Sequence, residues 1–598
     1  MPEYLAPGVY VEETSFSAPT IEGVSTTTTG FAGPTLTGPV SGTPYGGLAA
    51  PNPAPGPPPL LTSFGDFQNI YGQYNDLEMT LNTPNPDKNV NYMAMAVWAF
   101  FANGGSEVYV SRVCAGGAYA TSGTASTSNV VVAARFPGAF LNSLNVTVTL
   151  TAKHVNNFNN LPNMPPGTLL GTPGTGGGSP TFYTNGTGRT FNSNASPPVA
   201  ITSTAFPANL YVLTVNVSAP GANGSPMVFN GLGLDPNNYN YLGDVLGSNP
   251  PRPIDALQNQ IWFEIGNTLT PVTLFSFLFP TWNDPSAVPA TPTSPFIFTL
   301  ANGSDGSEPK SADYTTPFQY LAALEDIAIV ATPGASIYDD STNIMIGAVI
   351  PHVSAQRAYR VAILEAGPGL TDAGYQNVRA GIDTSYAALY VPWVWTPNPL
   401  AAAGTSAPSQ IKVPPSGAIA GIYGRNDVEY SVAKAPANEV VLGAADLERH
   451  INFAEQQLLN PLGINCLRYF PDRGFRVWGA RTVSSDTSLM YINVRRYLIY
   501  LEHSIDNGTQ WAVFQNNGPM LWARVKDSID SFLNNEFAEG NLLGSSPSQA
   551  YFVRCDRTTM TQNDLDNGRM ICVIGVALLK PAEFVIFRIG QMTASAQS

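Results

Sequence analysis

Four histidines, His154, His352, His450 and His503, are the only imidazoles in the chain, so neutral-pH proton transfer through an unperturbed side chain would fall to one of them. Serines and aspartates are numerous enough to complete a Ser-His-Asp set, but no Gly-x-Ser-x-Gly elbow and no local signature surrounds a histidine. No His-Glu-x-x-His, Cys-x-x-Cys or Gly-x-x-x-x-Gly-Lys occurs, which leaves metal hydrolysis and nucleotide-driven work without a motif. Asp339-Asp340 and the pair Asp564 and Asp566 offer oxygens that calcium could use, yet the ligand spacing of an EF-hand is missing, and solvated loops are the simpler reading. Cys114, Cys466, Cys555 and Cys572 are scattered without metal-ligand spacing and read as free, mostly buried thiols. No catalytic residue, cofactor or metal site is assigned.

Arginine is the more informative residue type. Arg468, Arg473, Arg476, Arg481, Arg495 and Arg496 concentrate positive charge within an acidic chain. They could make charge-assisted bonds to carboxylates on a neighbouring subunit, or pair within the chain, and both readings stand. The polar face of the helix after Pro519 carries Arg524, Asp527 and Asp530, which fit a partner surface or a merely wetted one. With Arg468, Arg473, Arg476, Arg495 and Arg496 they form the candidate set for contacts between subunits.

The chain that must position these residues has 598 of them, enough for two to four domains. Forty-two acidic against 27 basic residues give a net charge of −15, which disfavours nucleic acid or an anionic membrane as partner. Charged residues make up 12% of the chain, about half the usual share. A surface so poor in charge predicts extensive burial against copies of the same chain. No apolar run approaches the ~20 residues of a membrane span, and the opening residues lack the regions of a signal peptide, which predicts folding in the cytosol and no membrane insertion.

Along the chain, Val9, Tyr10 and Val11 form a short strand pattern in an arm over 1–20, and a Gly/Pro-rich connector follows over 21–62. A helix over 90–103 ends at Asn103-Gly104-Gly105 and leads into a strand over 107–113. Residues 114–310 are rich in Gly, Ser, Thr, Asn and Pro, with alternating strands over 145–150, 211–217 and 296–300, which predicts a β-rich inserted domain. Short apolar runs over 326–331, 359–364 and 387–394 predict a mainly parallel sheet, placing a discontinuous α/β domain over 63–113 and 311–440. Apolar stripes at Leu447, Ile451, Ala454 and Leu458, at Val494, Leu498, Leu501 and Ile505, and at Leu521, Val525, Ile529, Phe532 and Leu533 predict three helices in a C-terminal domain over 441–580. Val585, Phe587 and Ile589 then alternate in a strand within a terminal arm over 581–598.

Several runs in the last third have a familiar order: Ser416-Gly417-Ala418-Ile419-Ala420-Gly421, Lys434 to Glu439, Gly463-Ile464-Asn465, Trp478 to Thr482, Asn493 to Arg496 and Pro581-Ala582-Glu583-Phe584. Together with Phe100 to Gly105, Val110 to Val113 and the opening Ala6 to Glu12, they resemble the contractile tail sheath proteins of phages and phage-like injection systems. The resemblance covers about 1–113 and 311–598 and leaves the insertion without a motif. It implies a subtilisin-like α/β domain without protease function, a tube-facing α+β C-terminal domain, an outward insertion and terminal strands exchanged between neighbours. It also implies hexameric rings stacked helically around an inner tube protein, with baseplate and terminal cap partners, assembled in the bacterial cytoplasm and contracting to drive the tube through an envelope. A β-rich surface or capsid protein and a subtilisin-like hydrolase are the alternatives.

Overall fold

The computed structural model of the chain describes residues 20–40, 57–172, 180–185, 190–280, 282, 295–401 and 407–587. Short apolar runs bounded by Gly, Pro and Thr build the central layer. Strands β1 (Thr29–Gly33), β2 (Leu60–Leu61), β3 (Val108–Arg112), β4 (Ile329–Ala331), β5 (Val361–Glu365), β6 (Ala387–Val391), β7 (Ile464–Phe470) and β8 (Gly474–Trp478) form one eight-stranded sheet. Its order is β2-β3-β1-β4-β5-β6-β7-β8. The strands from β3 to β7 run parallel, whereas β2 and β8 close the two edges antiparallel.

A parallel sheet is covered on both faces, so side chains of both parities must be apolar. Phe31, Val110, Ile329, Ile363 and Tyr390 enter one core, under helices α1 (Tyr92–Ala102) and α2 (Ser416–Glu429). Ala32, Tyr109, Val330, Leu364 and Leu389 enter the other. Helices α1 and α2 approach backbone to backbone: a Cβ on Gly417 would lie 2.4 Å from the Ala96 carbonyl oxygen, and one on Gly421 2.3 Å from that of Phe100. The glycines of the Ser416 to Gly421 run are therefore a helix-packing requirement and not an anion-binding loop.

Three expectations need correction. Thr29–Gly33, inside the stretch 21–62 read as a connector, is a fully buried strand at the middle of the sheet. Five residues containing two glycines carry too little periodicity to announce this; hydrogen bonding to β3 and β4 on either side makes the strand. Residues 464–478, placed with the C-terminal domain, are the β7/β8 hairpin that completes this sheet, so the α/β domain extends well past residue 440. The stripe Leu447, Ile451, Ala454, Leu458 is not one helix: Asp446–Leu447 pairs with Val394–Pro397, and the helix spans only Phe453–Leu459. Residues 581–587, expected to pair with a neighbouring subunit, join no strand among the described residues, and Ile589 lies outside them.

Beyond Val113 the chain leaves the α/β domain and returns alongside itself, with antiparallel bridges joining Ala115 to Ser307, Ala118 to Ser304 and Thr121 to Ala301. Asp305 pins this neck, accepting from the backbone N–H groups of Glu78 (2.7 Å) and Ala139 (2.9 Å). The excursion is antiparallel β-structure with its own core, in which Val146 and Val148 of one long strand meet Leu213, Val215 and Val217 of the next. After the sheet come helices α3 (Ile492–Gly508) and α4 (Pro519–Ala538), then a hairpin of β9 (Tyr551–Arg554) and β10 (Val573–Val576). Leu501, Val525, Ile529 and Leu533 lie in their shared core.

Candidate assembly interface

Helix α3 is buried around most of its circumference, an unusual setting for the consecutive arginines Arg495 and Arg496. A guanidinium is kept in such a place only where acceptors meet its donors. Arg496 Nη1 donates to Asp427 Oδ1 (2.9 Å), and Nη2 to Asp427 Oδ2 (2.6 Å) and to the Thr26 carbonyl (3.0 Å). Thr26 Oγ1 also donates to Asp427, at 2.6 Å. Both side chains of the ion pair are 3% exposed. One pair thus joins α3, α2 and the N-terminal segment. Glu536 of α4 joins the next layer, accepting from Tyr497, Tyr500 and Asn541 at 2.8, 2.8 and 2.9 Å.

Both ends of the described chain are rooted on this body. At the N-terminal side Ile21 is buried with Tyr497 and Leu501, and Val24 N–H donates to Ser504 Oγ at 3.2 Å. At the C-terminal side the Glu583 carboxylate accepts from Arg481 Nε (2.9 Å) and Nη2 (2.6 Å), Asn460 (2.6 Å) and Tyr491 (2.8 Å). Burial pushes the Glu583 pKa up, but donation from Arg481, Asn460 and Tyr491 outweighs it and holds the carboxyl below its ordinary value. Past this anchor the described residues turn to solvent: Phe584, Val585, Ile586 and Phe587 are 71%, 69%, 78% and 83% exposed. Four consecutive exposed apolar residues are left without a covering surface among the described residues.

The same domain holds a sheet without enough strands. Among the described residues β9 and β10 pair only with each other, and a two-stranded hairpin is marginal by itself. Its outer face carries the half-exposed side chains of Phe552 and Val573. The large sheet is finished differently. Asn438 N–H donates to the Val477 carbonyl at 2.7 Å and Val441 N–H to that of Phe475 at 2.9 Å, so the segment after α2 covers the β8 edge.

The candidate contact residues divide. Arg495 and Arg496 are corrected to internal roles: Arg496 is consumed by Asp427, and Arg495, also buried, lies 3.9 Å from the centre of the Tyr386 ring and 3.7 Å from Glu502. Arg468 donates to Gln456 Oε1 (3.0 Å), and Arg476 Nε to the Arg473 carbonyl (3.1 Å), so both are partly engaged. Arg473 is exposed and stacks on Phe470 and Trp478. Arg524 is exposed over Trp511 and Asp527 is exposed beside it; Asp530 is half-buried, with its pKa raised by that burial. Val585 and Phe587 are exposed, while Val9, Tyr10, Val11 and Ile589 lie outside the described residues. Asp427, Glu536 and Glu583 were not singled out as site residues, because a lone acid in sequence does not reveal which arginine or tyrosine it will meet.

In a doubly wound sheet, ligands bind beyond the carboxyl ends of the strands where the order reverses. Here that point lies between β1 and β4, and protein fills it. Tyr92 packs against Gly334 after β4 and meets Trp393 edge to face at 5.0 Å. Glu365, at the end of β5, accepts from Gly334 N–H (2.7 Å), Ser336 Oγ (3.1 Å) and Ser416 Oγ. Two histidines serve packing: His352 Nε2 accepts from Arg360 Nη1 (3.1 Å), with its pKa lowered to about 3 by burial, and His503 stacks on Tyr359.

Burial pushes the Glu365 pKa from 4.5 up to about 7, with donation from Ser416, Gly334 and Ser336 offsetting only part of the effect. The group therefore favours the fold fully below about pH 4.5, and that contribution is lost as pH rises through about 7. Glu365→Gln should gain stability relative to the parent chain by up to about 3 kcal/mol between pH 5 and pH 8 in urea titrations; parallel curves for the two proteins would contradict the assignment. Asp427→Ala leaves the Arg496 charge buried alone and should cost about 3–5 kcal/mol. A urea midpoint within error of the parent would show that the pair does not hold α3 to α2.

Comparison with known proteins gives this arrangement a context. The phage tail sheath protein central domain matches residues 308–483, and the phage tail sheath C-terminal domain matches residues 484–591. A putative prophage major tail sheath protein of Pseudomonas aeruginosa (strain UCBPP-PA14) is 25% identical over 184 residues, which is 30% of this chain and 46% of that protein; the chain spans just under half the length of this relative. A chain in the baseplate of the anti-feeding prophage (AFP) is 32% identical, the match covering 49% of this chain and 78% of that one with a TM-score of 0.41. The helical sheath of AFP in its contracted state is 19% identical and shares the fold over 98% of this chain and 100% of that chain, with a TM-score of 0.50. The first boundary falls just beyond the β7/β8 hairpin and the second region holds α3, α4 and the open hairpin, so domain matches and fold divide the chain at the same place, and the chain belongs to the phage tail sheath family.

Proposed function

We propose that this chain is the subunit of a contractile sheath, which polymerises as stacked hexameric rings around an inner tube and contracts to drive the tube through a target envelope. The observation that carries the reading is the combination in the C-terminal domain: two arm roots, four exposed apolar residues beyond Glu583, and a β9/β10 hairpin that meets no further strand among the described residues. A strand donated by a neighbour pairs its backbone with such an edge and buries one apolar face, linking subunits while short segments beside it act as hinges. Subunits then move as rigid bodies without losing their links. The energy of contraction resides in the difference between two packings of the same subunits, so the reading requires no nucleotide.

In this reading the C-terminal domain faces the tube, and Arg473, Arg524 and Asp527 supply contacts to the tube or to adjacent subunits. The insertion faces outward, the baseplate and a terminal cap bound the sheath, and the particle is a phage tail or tail-like injection device assembled in the bacterial cytoplasm. The subtilisin-like character of the α/β domain belongs to the same proposal. It is supported by a mainly parallel sheet covered on both faces, and the role assigned to that domain is structural.

Deleting residues 1–15, or truncating before Glu583, should abolish polymers in negative-stain electron microscopy while leaving soluble subunits with parental circular dichroism. Sheaths of normal length from either truncation would rule out strand exchange. Joining Cys114 to Ser311 with the insertion removed should leave sheath formation intact; loss of sheaths from a folded variant would place the insertion in the working interface.

A further inference from the structure

The two cysteines of the open hairpin face one another. The β9/β10 register pairs Tyr551 with Val576, Phe552 with Gly575, Val553 with Ile574 and Arg554 with Val573, so the next facing pair is Cys555 with Cys572. Side-chain parity agrees. Val553 and Ile574 turn toward the α4 core, and Cys555 and Cys572, two positions further along, belong to the same apolar cluster. Phe552, Arg554 and Val573 turn outward on the opposite face.

Directly facing residues of an antiparallel pair lie about 4.5–5.5 Å apart at Cα, the closer spacing belonging to pairs that exchange no backbone hydrogen bonds. Ala577 N–H donates to the Ala550 carbonyl, and alternation from that bonded pair places Cys555 and Cys572 at the closer kind of position. Disulfides bridge Cα separations of about 4.4–6.8 Å, so the backbone need not move to join them. Both cysteines are free thiols, Cys555 buried and Cys572 half-exposed. The Cys572 thiol hydrogen-bonds to Cys555 and lowers the Cys555 pKa, which favours a thiolate at that position. The other two cysteines are differently placed. Cys466 is buried in β7 with its thiol pushed up to about 12 by burial, and Cys114 sits at the neck of the insertion. No group of three or more His, Cys, Asp or Glu residues that could hold a metal occurs among the described residues.

We propose that Cys555 and Cys572 are a redox-active pair that closes into an intramolecular disulfide, tying together the ends of segment 556–571 and fixing the β9/β10 hairpin. The oxidant is a small-molecule disulfide such as oxidised glutathione. One cysteine thiolate attacks a sulfur of the reagent and expels a thiol, forming a mixed disulfide. The second cysteine thiolate then attacks the protein sulfur of that bond and expels the other thiol. The protein loses two hydrogens and two electrons, and the reagent gains both as two thiols. The crosslink shortens the excursions open to segment 556–571 and holds the ladder in register where that segment leaves it. The pairing follows from strand register and stands whether or not the chain polymerises.

The test uses the purified full-length chain equilibrated in buffers of varied oxidised-to-reduced glutathione ratio, quenched with an alkylating reagent and mapped by mass spectrometry without reduction. A peptide pair joined through Cys555 and Cys572 should accumulate as the oxidised share rises, with Cys466 remaining unmodified until the chain is unfolded. Cys555→Ser and Cys572→Ser should each convert the remaining cysteine into a stable glutathione adduct. Trypsin should cut the oxidised parent at Arg557 and Arg569 several-fold more slowly than the reduced parent, a difference absent from both variants. If Cys555 and Cys572 of the parent carry glutathione or alkyl label separately under oxidising conditions, or become joined only after denaturation, the pairing is wrong. Either result leaves the sheath reading untouched, because that reading is decided by polymer formation.

Discussion

A positive charge held inside a protein must be matched where it lies, and the pair of Arg496 with Asp427 is the place where this chain accepts that constraint. The residues concerned come from a C-terminal helix, from the helix closing one face of the central sheet, and through Thr26 from the segment that precedes the first strand. None of the three can slide without leaving a buried ion unpartnered, which costs far more than an apolar mismatch. The α/β domain, the helical C-terminal domain and the described N-terminal segment are therefore one mechanical body near this point. Glu536 extends it to α4 through two tyrosines, and Glu583 extends it to the beginning of the terminal arm.

The sheets of this chain treat their edges unequally, and the inequality bears on function. Eight strands in the α/β domain end in β2 on one side and, on the other, in β8 with the segment after α2 bonded along it. The insertion wraps long antiparallel strands around a separate core and returns through a paired neck. In the C-terminal domain the β9/β10 hairpin pairs with no further strand among the described residues, and there both arm roots emerge, one of them continuing into exposed apolar residues. An open edge is an aggregation hazard in a monomer and a joint in a polymer. Low surface charge suits the second, since few like charges must be brought together when copies associate.

Rigid anchoring and extended arms are complementary. An anchor such as Arg481 with Glu583 sets where the chain leaves the domain, and Phe584 to Phe587 follow it exposed. The Cys555 and Cys572 positions lie at the loop end of the same hairpin, where covalent closure would stiffen the ladder without touching the anchors. The central sheet adds a different kind of restraint. Tyr92, Trp393 and Glu365 occupy the crevice that a doubly wound fold offers to ligands, so the carboxyl ends of its strands are committed to packing.

Much of this was legible from local pattern. Alternation marked the strands around Val148, Val215 and Phe298, the apolar stripes at Leu501 and Val525 marked α3 and α4, and the tail sheath motifs placed the chain in its family. These features are encoded in neighbouring residues, where period and turn chemistry act directly. Other features depend on partners distant in sequence. Thr29–Gly33 is a strand because β3 and β4 flank it; Gly417 and Gly421 matter because α1 lies 2.4 and 2.3 Å from where their side chains would begin. Arg495 and Arg496 look like surface charge in sequence, and only their packing against Tyr386 and Asp427 turns them inward. Cys555 and Cys572 are unremarkable in sequence until a register brings them face to face. Sequence determined most of the elements, the absence of motif chemistry and the family; the tertiary structure decided which charges were spent inside and which short segments became strands, because pairing energies depend on distance in space.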